Sequence, residues 1–173
     1  MPDELPAESA PAGLRAANGW AWAAFLSLLT AMWLPWWVAT YEESTGYGYT
    51  FEQRLWSIGN AADGVHVGRT WITTGLVVLA AGWLFVRIAG RSWLYEPGDW
   101  QRDLRRMAVL VGGALVSAWT WPRDLPFWGG RDYSGLADGA TAHATFLPGL
   151  GWWAALFALA CLGAALWKGR PVP

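Results

Sequence analysis

Two histidines, one cysteine and thirteen carboxylates are the side chains through which this 173-residue chain could bind a metal or move a proton. His66 and His143 could in principle hold a metal or a haem iron. Protein metal sites usually use three or four ligands, and these two stand far apart in loop sequence, so ordinary loop histidines are the simpler reading. Cys161 is alone, which rules out an internal disulfide or a thiol–quinone redox pair, and its apolar surroundings make it a small packing residue. Outside the apolar runs, Glu42, Glu43, Glu52, Asp63, Asp124, Asp132 and Asp138 could supply a glycosidase pair or bind calcium. Asp132 begins no calcium-loop spacing, and a solvated acidic surface explains these acids as well. Ser44, Ser57 and Ser134 lack a nucleophile-elbow context. No catalytic residue, cofactor-binding residue, cofactor or metal ligand is therefore assigned.

The elements around these residues are dominated by apolar runs. Hydrophobic residues make up 54% of the chain and charged residues only 14%, against about 25% charged in an average soluble domain. Four runs stand out, at about 19–38, 71–88, 105–121 and 146–167. Each approaches the roughly 20 residues that a spanning helix needs. The third is the shortest and extends backward past Arg105 and Arg106, which can snorkel to headgroups; Arg87, at the end of the second, can do the same. The expected fold class is an all-α membrane protein, a four-helix transmembrane bundle with a small extracellular β-sheet. Residues 1–15, rich in Pro, Ala and acid, are expected to form a disordered tail, and 16–173 a single membrane domain. No basic segment precedes the first run, so no cleaved signal peptide is expected.

Orientation follows from Lys and Arg in the flanking segments. With the N-terminus inside, eight cations fall inside (Arg15, Arg87, Arg91, Arg102, Arg105, Arg106, Lys168, Arg170) and four outside (Arg54, Arg69, Arg123, Arg131). Both termini are thus expected in the cytoplasm, and the protein in the plasma or inner membrane. The 16 tryptophans fit an interfacial belt, with Trp33, Trp36, Trp37, Trp119 and Trp121 outside and Trp20, Trp93, Trp100 and Trp167 inside. A net charge of −1 gives no field for nucleic acid. None of the charges lies mid-span, where a proton-driven transporter would need one.

The outer loops, 39–70 and 122–145, carry the remaining information. Tyr47, Tyr49 and Phe51 alternate with small or polar residues, which puts them on one face of a strand. Val65 and Val67 alternate around His66 after the Asp63-Gly64 turn signal. A small antiparallel sheet is expected in the first loop, and irregular structure in the second. Small residues four apart, Gly113 with Ser117 and Ala154 with Ala158, offer close helix packing within the bundle or against another subunit.

Trp36-Trp37 at the outer end of the first run, followed 18–20 residues later by Leu55-Trp56, resembles the claudin and calcium-channel gamma-subunit superfamily of tetraspan proteins. The two disulfide cysteines of that family's loop are absent here. The resemblance implies four helices with both ends inside, an extracellular sheet, and a non-catalytic adhesion or accessory role. It carries over Trp37, Leu55 and Trp56 as structural residues. The leading functional expectation is a non-enzymatic accessory, assembly or structural subunit of a membrane complex. Its partners would be the lipid bilayer and a protein or second copy, met through the helices or an aromatic loop surface of Trp37, Tyr47, Tyr49, Phe51, Leu55 and Trp56. The alternative is a membrane enzyme or redox-complex subunit using outer-loop acids and histidines; a channel or transporter ranks third.

Overall fold

The computed structural model describes residues 11–43, 48–55, 70–92, 96–120 and 142–170. They form four helices, α1 (Ala12–Trp33), α2 (Thr70–Ala89), α3 (Pro97–Trp119) and α4 (Leu150–Lys168). Three strands, β1 (Trp37–Glu43), β2 (Gly48–Gln53) and β3 (Ala142–Pro148), make one antiparallel sheet in the order β2-β1-β3.

Helix limits follow local chemistry. Helix α1 stops where Leu34 turns extended ahead of Pro35, because the residue before proline is pushed out of the helical region. Helix α3 opens with Pro97, whose missing N–H costs nothing in the first turn, and Asp99 there faces the positive end of the helix dipole. Helix α4 is flanked by Gly149 at its start and Gly169 at its end.

Consecutive helices run up and down, and each packs on its neighbours in a ring: α1 on α2 and α4, α3 on α2 and α4. At one end Gly13 of α1 lies against the Lys168 carbonyl of α4. At the other, the α1–β1 link meets the β3–α4 link. We refer to these as the arginine end and the sheet end.

Two kinds of seam hold the ring. Helices α1 and α4 share the most extensive contact through small residues. Ala17, Ala21, Ala24, Leu28 and Ala31 are buried on α1, and Gly151, Ala155, Ala158, Leu162 and Ala165 on α4. Both sets repeat at intervals of four and three, the spacing of a narrow helical seam, and small side chains let the backbones approach. The α2–α3 seam is bulkier, with Val77, Leu84, Leu104, Met107 and Val111 buried. It is also partly polar: the Thr73 hydroxyl bonds the Ser117 hydroxyl at 2.9 Å.

Large apolar residues lie on the outside of every helix. Trp22, Leu26, Leu29 and Trp33 of α1, Leu79, Phe85 and Val86 of α2, Val109 and Val116 of α3, and Trp153 and Phe157 of α4 are all exposed. Among the described residues, α2 and α4 are long and apolar enough to cross a membrane by length and composition.

Several sequence expectations change at their edges. Residues 12–15 belong to α1 rather than to a disordered tail. The third helix begins at Pro97, eight residues before the expected start at 105, and ends at Trp119. Its first turns are charged but satisfied by i,i+3 pairs, Asp99 with Arg102 and Asp103 with Arg106. The first and fourth apolar runs do not stay helical throughout. Trp37 and Val38 enter β1, and Phe146, Leu147 and Pro148 close β3. The second loop therefore donates a strand where irregular structure was expected, because β-branched Thr145 and aromatic Phe146 fit a pleated pairing with β1. Residues 63–67, expected to pair in the sheet, lie outside the described residues.

Candidate functional site

The sheet stands on a joint built from backbone. Leu34, Pro35 and Trp36 leave α1 and lie across the entrance to α4. The Gly149 N–H donates to the Trp36 carbonyl and the Gly151 N–H to the Pro35 carbonyl, each at 2.8 Å, while the Trp36 N–H donates to the Gln53 carbonyl at 2.8 Å. These bonds join α1, β2 and α4 at one point. The approach leaves no room for a side chain. A Cβ at Gly149 would fall on the Pro35 carbonyl, and one at Gly151 would lie 2.7 Å from both the Leu34 carbonyl oxygen and the Trp36 ring. Glycine is required here by proximity.

Two tryptophans lock the joint. Trp36 is buried and donates its indole N–H to the Ala31 carbonyl at 2.7 Å, capping the end of α1. Trp37, only 5% exposed, donates its N–H to the Ala118 carbonyl at 2.8 Å, tying β1 to the last turn of α3. From Trp37 the rings continue to Trp119 at 5.4 Å, Trp152 at 6.0 Å and Trp153 at 5.1 Å between centroids. Tilted and edge-on pairs of this spacing are favourable. Trp119 and Trp153 remain exposed. Trp36, Trp37 and Trp100, expected in an interfacial belt, are instead buried within the protein. At Trp36 and Trp37 each indole N–H has a backbone acceptor to meet.

The register carries aromatics along one alternation of the sheet. Trp37 pairs with Gln53 and Pro148, Ala39 with Phe51 and Phe146, and Tyr41 with Tyr49 and Ala144. Tyr49 and Phe51 therefore share the alternation expected for them, joined by Tyr41 and Phe146 from the neighbouring strands. The other alternation carries Thr50, Thr40 and Thr145 in one row, with Thr50 and Thr145 exposed. Leu55, two residues past β2, is buried, and its carbonyl accepts the Thr74 hydroxyl of α2 at 2.9 Å. Tyr47 and Trp56 lie outside the described residues, as does His66.

Of the helix-packing candidates, Ala158 sits in the α1–α4 seam and Ala154 beside it, half-buried. Ser117 bonds Thr73, and a Cβ on Gly113 would meet Leu76 at ordinary contact distance, 3.6 Å. His143 stands opposite Glu42 in the β1–β3 register. A pair falls short of the ligand number a metal needs, and among the described residues no group of three or more His, Cys, Asp or Glu is placed to hold one.

The arginine end has a charged centre that sequence reading missed. Asp103 of α3 is buried between two arginines. Arg87 Nε of α2 lies 2.8 Å from its Oδ2, and Arg106 Nη1 lies 3.1 Å from its Oδ1. Arg87 also reaches Glu96 at 3.1 Å. Arg87 was expected to snorkel out of the bundle. It is instead held inward, its side chain 18% exposed, with a carboxylate one helix away at ion-pair distance. Arg106 lies over the Trp83 ring at 5.8 Å, and Arg170 over Trp167 at 4.7 Å. The signal for the buried pair was present as Asp103 three residues before Arg106, but its partner on α2 depends on helix pairing.

No protein-family model matches this chain, and neither the curated proteins nor the solved structures include a significantly similar one.

Proposed function

We propose that this is an integral membrane protein that crosses the bilayer four times, with both termini and the arginine end in the cytoplasm and the sheet on the far side. The observation that carries this reading is the inverted distribution of side-chain size. Alanine and glycine make up most of the α1–α4 seam, with Leu28 and Leu162 among them, while Trp, Leu, Phe and Val lie exposed on the outside of the helices. Only 33% of the apolar window of α2, and the same share of α4, is buried within the protein. A core helix of a water-soluble protein would be mostly buried, and exposed apolar surface on this scale needs an apolar solvent. Helix α1, at 22 residues, is about 33 Å long at 1.5 Å per residue, enough for a core of roughly 30 Å. On α3 the charged first turns up to Arg106 lie at headgroup level, with the apolar stretch from Met107 to Trp119 beyond them.

Charge supports the orientation. Among the described residues the arginine end holds eight cations and three carboxylates, Glu96, Asp99 and Asp103, a surplus of five positive charges. Cationic flanks remain on the cytoplasmic side. Single cysteines at Gly46 and Gly135 should label from outside intact cells, and one at Gly98 only after permeabilisation. Labelling of Gly98→Cys in intact cells would reverse the orientation, and release of the wild-type chain by alkaline carbonate would remove it from the membrane.

Within that frame the role we propose is a non-enzymatic accessory, assembly or structural subunit, with the sheet as its docking surface. The claudin-like resemblance carries over Trp37, Leu55 and Trp56 as structural residues, and the alternating Tyr47, Tyr49 and Phe51 supply an aromatic surface for a partner or for a second layer of the sheet's own chain. Rigid aromatics on a backbone-locked platform are effective anchors for a protein partner. The test is recovery of a stoichiometric partner in mild detergent. Trp56→Ala should release it or expose the loop to protease, and Glu42→Ala with Glu43→Ala should do neither. Loss with the glutamate changes alone would favour the enzyme or redox-subunit alternative.

A further inference from the structure

We propose that the outward stripe of α3 formed by Arg105, Val109, Gly112 and Val116 is a binding site for one anionic glycerophospholipid of the cytoplasmic leaflet. This rests on the four-span reading above. Intervals of four, three and four keep these residues on one helical face, one above the other. Val109 and Val116 are 74% and 70% exposed. Between them a Cβ on Gly112 would meet nothing within 4 Å, so the helix backbone is bare there and the two valines bound a shallow notch. An acyl chain, thin and flexible, fits such a notch.

The headgroup end is set by charge. Arg105 is exposed at the foot of the stripe. Its neighbours on α3 are already engaged, Arg102 with Asp99 and Arg106 with Asp103. Among the described residues Arg105 has no ion pair or hydrogen bond through its side chain. It is therefore a cation open to an outside partner, within an end that already carries a positive surplus. A guanidinium pairs with a phosphodiester through two parallel N–H bonds. From Arg105 to Val116 the helix rises about 16 Å, close to half of the roughly 30 Å hydrocarbon core. The stripe thus has the length of one leaflet, with its charge at the headgroup level and its notch at acyl depth.

The experiment uses the full chain in mild detergent, titrated with phosphatidylglycerol or phosphatidylcholine of the same acyl chains and read by native mass spectrometry. Wild type should retain phosphatidylglycerol in preference to phosphatidylcholine. Arg105→Gln should lower phosphatidylglycerol occupancy about five-fold, the effect of removing one cation near an anionic surface. Arg105→Lys should fall between Arg105→Gln and wild type, since the charge remains and the two-pronged pairing is lost. Gly112→Leu should lower occupancy by filling the notch, and Arg15→Gln should leave it unchanged. Equal retention of the two lipids by wild type, or equal behaviour of Arg105→Gln and Arg15→Gln, would overturn the site. If Gly112→Leu instead splits a dimer and leaves lipid adducts untouched, the stripe is a self-association face and the proposal fails. Flotation with vesicles of each lipid separates the two levels. Failure to float with either overturns the four-span reading and the site together, whereas flotation with both and no headgroup preference overturns the site alone.

Discussion

The indole N–H of Trp37 donates to the carbonyl of Ala118, 81 residues further along the chain, at 2.8 Å. This one bond fixes the root of the sheet to the last turn of α3, where backbone carbonyls have no partner within the helix. It also explains why Trp37 is buried rather than spread at an interface.

Trp37→Phe should keep most of the ring volume and lose the hydrogen bond, costing about 1 kcal/mol. Trp37→Ala should cost about 3–5 kcal/mol, because it also leaves a cavity beside Trp119. Denaturant unfolding in detergent measures both. Equal costs would mean that the ring contributes nothing beyond its N–H.

At the joint between α1 and α4, Gly151→Ala and Gly149→Ala should each destabilise the fold by about 1–3 kcal/mol or more, since the atoms a methyl group would meet are largely backbone. Gly82→Ala, on α2 with open space around it, should be neutral or stabilising by about 0.5–1 kcal/mol. Thermal melts of the three variants decide this, and a neutral Gly151→Ala would show that the joint can open without loss.

The buried carboxylate between α2 and α3 should be strongly coupled to its partner. Removing one member of a buried ion pair leaves an uncompensated charge and costs about 3–5 kcal/mol. Asp103→Leu and Arg87→Leu should each show this, and the double variant should cost less than the two together, with a coupling of about 1–3 kcal/mol. Additive costs in a double-mutant cycle would mean that the pair is incidental to stability.

Replacing His66 and His143 together by alanine should leave membrane level and partner recovery as in wild type. A complete loss of recovery at a normal level of the protein would place a working site at these histidines and move the enzyme reading forward.

Four helices and their approximate centres were legible in the sequence because hydrophobicity is a local sum: each run is apolar on its own, whatever the others do. The surplus of arginine at one end was legible for the same reason. Alternation at Tyr49 and Phe51 announced a strand, since side chains on a pleated backbone repeat every two residues. What the sequence left open was pairing between distant segments. The third strand comes from residues 142–148, and its pairing with β1 depends on α1 and α4 lying side by side. The α1–α4 seam uses Ala17, Ala21, Ala24 and Ala31 against Gly151, Ala155 and Ala165, and among so many small residues no local signal marks which of them face inward. Arg87 looked like a residue reaching for headgroups until α3 brought Asp103 to 2.8 Å. Local composition determined which segments are helices, and tertiary contact alone decided which of their residues meet, because a side chain's partner is set by how two elements cross rather than by its neighbours in the chain.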